Sequence, residues 1–568
     1  MLSPPFTGCS ANRNTVIGAP DATIQREEEI RKMGMIRAGR LAAKILKQEG
    51  VEHVFTLTGG HIMSILQGCE DEGIRVVDTR HEQAAVFMAA GWARATGKPG
   101  VAAVTAGPGV ANAVTGLWQA SGNCVPIVVF GGRSEFFEFE LGSLQDTDSL
   151  AMAKSCTKWA RAGYEAKRVG EYTSMAFRHA LAGRMGPAYI EFPVDILNAQ
   201  VEESEVELPQ NYRSSTGPQG DPALIKEAVD LLLNAEKPAI RFGAGVWWSQ
   251  AAKELQEFVE LTKIPASASS PTAEGIIPAD HAQFENRSAQ DADVVLFIGG
   301  RIDFRGGFAR GYSKESKWIQ VDIEASEIGH IRPIEVGIVG DVKAVLKQML
   351  EEARGRCEGR DAMPWVAEIK AKTEKRQAYL DSLTDNDEAP IHPARLCKEV
   401  SDFLDRDATL SVDGGDIAVF ADQLIPRYLP GHFLRQGRTG TLGIGEPFAM
   451  AAKLARPTKQ ALVITGDGSF GFNAMEIDTM VRHNIPVVVV VSNNQCWGMI
   501  KGDRKEKVVS TELAFTRYDK MVEALGGHGE LVETPAEIRP ALERAFASGL
   551  PACINVKTGM APFRILWG

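Results

Sequence analysis

The sequence lacks any paired-cysteine signature. Its eight cysteines are scattered, with no two in a CxxC spacing, so they read as reduced thiols of a cytosolic protein. It lacks an uninterrupted apolar run long enough to span a bilayer. The opening residues, MLSPPFTGCSANRNTVIGAPDATIQREEE, lack the apolar core of a secretory signal. It also lacks an excess of positive charge. A formal net charge of -11 gives no electrostatic reason to expect nucleic acid or an anionic membrane as partner. What remains is an ordinary soluble composition, 44% hydrophobic and 24% charged over 568 residues. At roughly 150 residues per domain, that length holds about three or four domains. Residues 1–35 read as a loose extension, with Met33 and Met35 as alternative starts and folding expected from Ile36.

The stretch Leu462–Met499 organises the chain. A β-rich run, Leu462-Val463-Ile464, ends in Gly466-Asp467-Gly468-Ser469. A helix-like segment follows, and a second apolar run, Pro486–Val491, ends in Asn493-Asn494. Two parallel strands joined by a crossover helix are expected, with ligands at their carboxyl ends. The glycines let backbone approach a ligand closely, and free N–H groups at the helix start favour phosphate. Asp467 and Asn494 supply hard oxygen ligands suited to Mg²⁺ completed by phosphate oxygens. Asp-Gly alone is an ordinary turn; its pairing with a double Asn at the next strand end carries the signal.

Apolar runs ending in glycine or polar loops recur along the chain. Ile36–Gly50 has the spacing of an amphipathic helix. Strands are expected at Val54–Leu57, Ile74–Asp78, Val101–Thr105 and Pro126–Phe130, with an alanine-dense helix over Gln83–Ala95. This first unit is read as a doubly wound parallel domain over 36–200. Val201–Pro218 is acidic and aperiodic and reads as a linker. A second unit, 221–352, carries strands Ala239–Gly243, Val294–Gly299 and Trp318–Val321. A charged segment, 353–390, precedes a third unit, 391–568, whose strand Leu410–Val412 ends in Asp413-Gly414-Gly415-Asp416. An internal echo links the outer units: a small-residue helix leads to VAAVTAGPG in the first and to ALVITGDGS in the third.

The Gly466–Asn494 pattern resembles the thiamine diphosphate (ThDP) motif, GDG followed some two dozen residues later by NN. Arg80-His81-Glu82-Gln83-Ala84-Ala85 matches the R-H-E-x-x-A setting of ThDP enzymes similar to acetolactate synthase. The resemblance runs from about Ile36 to the end. It implies an α/β fold of three doubly wound parallel-sheet domains: pyrimidine-binding, central Rossmann-like and pyrophosphate-binding. It implies that Glu82 hydrogen-bonds the aminopyrimidine. It places Asp416 and Ile417 by the pyrophosphate, Leu442 under the bent cofactor, and Gly440, Thr441 and Gly443 in the surrounding turn. Gly466, Gly468 and Ser469 would hold phosphate. Asp467, Asn494 and the Cys496 carbonyl would hold Mg²⁺, with Cys496 and Trp497 lining the pocket. It also implies an active site shared between two chains, hence a homodimer at least, with dimers pairing to tetramers. Residues whose part is less determined are His61, a proton relay or a histidine bonded locally; His81, read as structural; and Gln145, a substrate contact or a surface glutamine.

Three departures set the chain apart from a standard acetolactate synthase. Thr58-Gly59-Gly60-His61 replaces a Pro-Gly-Gly-Ala type of loop; Pro193-Val194-Asp195 lacks the usual lysine; and Ile500-Lys501-Gly502 follows Met499 where synthases select the second oxoacid with a Gln-Trp pair. By the runs Phe55–Ile62, Val77–Glu82 and Val101–Gly109 the chain looks most like the 2-hydroxyacyl-CoA lyase and benzaldehyde lyase branch, although Asn493-Asn494-Gln495 and Gly498-Met499 match synthases. That implies a lyase acting on a 2-hydroxyacyl-CoA, releasing formyl-CoA and an aldehyde or ketone. A synthase-type carboligase on 2-oxoacids, a 2-hydroxyketone lyase, and a degenerate homologue keeping only the fold are the alternatives. Arg301, Arg305 and Arg310 follow a strand of the central unit and suit nucleotide phosphates, either of CoA or of the FAD that synthases carry there. ThDP and Mg²⁺ are the expected cofactors, FAD being left open. The partners are a small-molecule substrate and a second copy of the chain, with neither nucleic acid nor membrane. Phe563-Arg564-Ile565-Leu566-Trp567 is an apolar tail that reads as a lid or a docking segment.

Overall fold

A computed structural model describes residues 34–286, 289–357 and 363–561. The N-terminal extension up to residue 33 and the 563–567 tail lie outside the described residues. The chain forms three α/β domains, each built on a parallel sheet.

The first domain holds β2 (His53–Leu57), β3 (Arg75–Asp78), β4 (Gly100–Val104), β5 (Ile127–Arg133), β6 (Trp159–Ala162) and β7 (Ala188–Pro193), in the order β3-β2-β4-β5-β7-β6. Two short strands, β1 (Met35–Arg37) and β8 (Gln200–Glu202), pair antiparallel beside it. The stretch read as a linker from Val201 therefore begins inside a strand. A three-residue strand is too short to show a period.

The central domain carries β9 (Pro238–Phe242), β10 (Ala266–Ala268), β11 (Val294–Ile298), β12 (Lys317–Asp322) and β13 (Val336–Val339), ordered β10-β9-β11-β12-β13. The third domain carries β14 (Thr409–Val412), β15 (Phe433–Arg435), β16 (Ala461–Gly466), β17 (Val488–Asn493), β18 (His528–Val532) and β19 (Ala552–Lys557), ordered β15-β14-β16-β17-β19-β18. Strand for strand, this is the order of the first domain. The echo between VAAVTAGPG and ALVITGDGS is thus a correspondence of β4 with β16.

The strands are sheet interiors because both faces are covered. β17 reads VVVVSN and is buried throughout, the continuous apolar pattern of a parallel sheet with helices on both sides. The first and third domains share one core. The helix Glu82–Thr96 packs on the helix Gly445–Ala455, and a Cβ at Gly91 would lie 2.8 Å from the Phe448 Cα. Only glycine allows so close a crossing. Among the described residues no helix is long and apolar enough to cross a membrane.

Candidate active site

The candidate residues of the first domain gather at the carboxyl ends of β2, β3 and β4. His61 lies in the 3-10 turn Gly60–Ile62 after β2. Its Nδ1 is 3.0 Å from the Thr105 hydroxyl, and burial holds its imidazole below the usual histidine value. The ring is therefore neutral at about pH 7.

Glu82 opens the helix after β3. His81 caps that helix, its Nδ1 accepting the Gln83 N–H at 3.1 Å. Glu82 is 5% exposed, and its Oε2 accepts a hydrogen bond from Asn112 Nδ2 at 2.9 Å. Thr105 and Gly109 bring the groups together. A Cβ at Gly109 would lie 2.8 Å from Thr105 Cγ2 and 3.6 Å from Glu82 Oε1. Gln145 adopts a left-handed backbone (φ 60°), and a Cβ at Gly107 would meet its carbonyl at 2.7 Å. One strand-end cluster thus holds His61, Thr105, Glu82, Asn112 and the Gln145 loop. Thr105 and Asn112 carry no sequence signal of their own.

The third domain presents the matching loops. Asp467 begins a short helix directly at the end of β16. It is 3% exposed, and its Oδ2 makes no hydrogen bond among the described residues. Burial pushes its carboxyl up to about 6, with the nearby Asp416 adding to the rise. A buried carboxylate oxygen with no donor is costly and fits a cation. Asn494 donates from Nδ2 to Asp416 Oδ2 at 2.9 Å and accepts the Cys496 N–H at 3.0 Å on its Oδ1. The Cys496 thiol is buried, which raises its pKa and keeps it protonated.

Close packing accounts for the glycines around this site. A Cβ at Gly468 would lie 2.6 Å from the Trp497 ring, and one at Gly498 would lie 2.2 Å from Asp416 Oδ2. Ile417 is 1% exposed and packs beneath Gly414 and Gly466. Ser469 is buried at the same corner. The Thr441 hydroxyl donates to the Thr439 hydroxyl at 3.0 Å, and Leu442 is half-buried between Thr441 and the left-handed Gly443. Gly466, Asp467, Gly468, Ser469, Asp416, Ile417, Asn494 and Trp497 therefore converge on one corner of the sheet.

Within the chain, the first and third domains also touch at the end of β3, just before Glu82. The Arg80 N–H donates to both Glu476 carboxylate oxygens (3.0 and 3.2 Å), and Arg482 reaches Asp78 at 2.7 Å.

A large cavity, about 1500 Å³, lies elsewhere, between the first and central domains. It sits at the carboxyl ends of β9, β11 and β12, where Gly299, Gly300 and Asp322 line it. Burial pushes Asp322 up to about 6. Arg301 and Arg305 line the cavity, the first bonded to Glu327 (3.0 Å) and the second to Asp303 (2.9 Å). Arg310 is not part of that lining; its guanidinium sits over the Phe308 ring at 5.1 Å. The turn at Gly307 and Phe308, both at positive φ, parts Arg310 from Arg301 and Arg305.

Comparison with known proteins agrees with the three-domain fold. The model of the thiamine pyrophosphate enzyme N-terminal TPP binding domain matches residues 36–152. The central-domain model matches 225–349 and the C-terminal TPP binding domain model 413–556. The acetolactate synthase large subunit IlvG of Mycobacterium tuberculosis is 41% identical over 537 residues, covering 92% of this chain and 96% of that protein. The 2-hydroxyacyl-CoA lyase 2 of Bos taurus is 32% identical over 576 residues (93% and 90%), and the 2-hydroxyacyl-CoA lyase of Arabidopsis thaliana 31% over 553 (91% and 94%). The synthase is the more similar, which overturns the placement beside the lyase branch. That placement weighed three short strand-end runs and three loop departures against the whole chain, and strand-end loops diverge faster than the sheets that carry them. With three domain models matched in order and a relative aligned along nearly its whole length, the chain belongs to the thiamine pyrophosphate enzyme family.

Proposed function

We propose that the protein is a ThDP- and Mg²⁺-dependent carboligase of the acetolactate synthase type, acting on 2-oxoacids. The observation that carries this is the 41% identity to an acetolactate synthase large subunit across 92% of the chain. The buried Asp467 Oδ2, with no donor among the described residues, supports the metal.

Thiamine diphosphate, when bound, supplies an electron sink for a carbanion at a former carbonyl carbon. The chain's own part is to bind, orient and move protons. Asp467, Asn494 and the Cys496 carbonyl would hold Mg²⁺ against the phosphates, and Gly466, Gly468, Ser469, Asp416 and Ile417 would line the diphosphate. Leu442 would support the rings, and Trp497 would close the wall at Gly468. Glu82, oriented by Asn112, would share a proton with the aminopyrimidine in a site shielded from water. His61, neutral and bonded to Thr105, would hold a proton at a substrate oxygen, and Gln145 would orient the substrate. The Gln-Trp pair of synthases has no counterpart after Met499, so choice of the second oxoacid falls to other residues.

On this reading Glu82 of one protomer works with Asp467 of its partner, which makes a homodimer the minimum. The 1500 Å³ cavity would take a nucleotide. Asp322, at the end of β12, suits ribose hydroxyls, and Arg301 and Arg305 suit phosphate. A flavin is the nucleotide consistent with a synthase.

Product analysis tests the proposal. Purified protein with ThDP and Mg²⁺ is expected to form acetolactate from pyruvate and to leave a short 2-hydroxyacyl-CoA intact. Formyl-CoA from the thioester, with no acetolactate, would overturn it. Flavin absorbance of the purified protein, lost with Arg305→Ala, would identify the nucleotide.

A further inference from the structure

The turn that carries Leu442 is held by two buried side chains from different elements. Asp413, at the end of β14, is 0% exposed. Its Oδ1 accepts the Gly414 N–H at 2.6 Å and its Oδ2 accepts the Gly445 N–H at 3.1 Å. The backbone N–H groups of Gly443 and Ile444 also bond to this carboxyl. From the opposite side Asn473, the last residue of the helix that begins at Asp467, is 3% exposed and donates from Nδ2 to the Gly443 carbonyl at 2.5 Å. Gly443 has φ +80°, and a Cβ there would lie 2.6 Å from Phe472 Cβ and 2.9 Å from Asn473 Nδ2.

Three loops therefore meet at one turn: the Asp413–Asp416 loop, the Gly440–Gly445 turn and the helix that opens with Asp467. The N–H groups of the turn point at a carboxylate and its carbonyl at an amide. Neither contact can form if the loops separate.

We propose that Asp413 and Asn473 are positioning residues that clamp the Leu442 turn, tying its place to the diphosphate loop on one side and to the metal loop on the other. The clamp is a property of the apo-protein. Its consequence for ThDP rests on the function proposed above, in which Leu442 supports the cofactor. Asp413 does not itself face the cofactor; its carboxyl is spent on backbone N–H groups. This explains why a fully buried acid sits at the strand end although the metal ligands lie on the neighbouring strands.

The test compares wild type, Asp413→Asn and Asn473→Ala as full-length proteins. Asparagine at 413 keeps size and one acceptor oxygen but turns an amide N–H₂ toward donors. Alanine at 473 removes the bond to Gly443 and leaves the helix end intact. Hydrogen–deuterium exchange of the apo-proteins is read on the peptide spanning the Leu442 turn and on β17 as an internal control. Thiamine diphosphate binding is then read by quenching of tryptophan fluorescence with Mg²⁺ present.

Asp413→Asn is expected to exchange at least about tenfold faster at the turn, the scale of one charge-assisted hydrogen bond, and Asn473→Ala about fivefold faster, the scale of one neutral hydrogen bond. β17 should be unchanged, and the half-saturating ThDP concentration should rise by about the same factor. Unchanged exchange at the turn in both variants would overturn the clamp. Faster exchange with unchanged ThDP affinity would overturn its link to the cofactor. Failure of wild type to bind ThDP would overturn the function, while the exchange comparison would still decide the clamp. If Asp413→Asn does not fold, Asn473→Ala carries the same test.

Discussion

Glu446 should make the stability of this protein fall as pH rises, and its removal should flatten that dependence. The residue lies at the start of the helix Gly445–Ala455. It is 0% exposed, and neither carboxylate oxygen makes a hydrogen bond among the described residues. Burial pushes its carboxyl well above the usual value, and the nearby Asp413 and Glu476 push it further. A raised carboxyl takes up a proton on folding. Below the unfolded value of about 4.3 both states are protonated and there is no penalty. From there to the folded value the native state loses about 1.4 kcal/mol per pH unit for this one proton, and the loss then levels off. Glu476 adds a second such term: its carboxyl, buried against the Arg80 backbone, is pushed up from 4.5 to about 7, a difference of roughly 2.5 units or about 3 kcal/mol. Glu446→Gln removes the first term entirely and leaves the second in place, because Glu446 is protonated and neutral while Glu476 titrates. Glu446→Leu additionally removes an unpaired buried polar group, which should stabilise by about 1–3 kcal/mol even at acid pH. The assay is urea unfolding, followed by tryptophan fluorescence at intervals from about pH 5 to about pH 8. Wild type should lose stability over this range with a slope steeper than Glu446→Gln by about 1.4 kcal/mol per pH unit. Parallel curves for the two proteins would refute the reasoning.

Three further outcomes are expected. Glu82→Gln should lower carboligase turnover by about a hundredfold or more while ThDP still binds; unchanged turnover by product assay would remove Glu82 from the proton transfer. Because the Asp467 carboxyl is pushed up to about 6, protons should compete with the metal below that pH. The Mg²⁺ concentration for half-activation should then rise by up to about tenfold per pH unit, and Mg²⁺ titrations that do not move with pH would count against Asp467 as a ligand. Gly498→Ala, with its Cβ 2.2 Å from Asp416 Oδ2, should displace the Asp416–Asn494 pair and weaken ThDP binding about tenfold, measured by fluorescence titration.

Much of this molecule was legible before any coordinates. Of the strands that end at the site, β4, β16 and β17 are apolar runs stopped by glycine or polar residues, and such runs announce themselves locally, while β2 and β14 carry only Thr56 and Ser411 between apolar neighbours. β7 was harder to see because Glu191 interrupts it. That carboxylate is 0% exposed yet paired with Arg133 at 2.9 Å, 58 positions away, and a pair so distant leaves no local mark. The Gly466-Asp467-Gly468 and Asn493-Asn494 elements could be read because the residues that would face metal and phosphate are neighbours in sequence.

The rest was decided by tertiary structure. Asn112 orients Glu82 from 30 positions away, and Asn473 holds Gly443 from 30. Asp413 reaches Gly445 across 32, and Arg310 parts from Arg301 and Arg305 at the positive-φ turn of Gly307 and Phe308. The sequence determined which side chains could do the chemistry, since that depends on residue type and short spacing. Which of them share a cluster, and which buried acids are left without a donor, depends on how the sheets and helices close around them, and only the folded chain sets that.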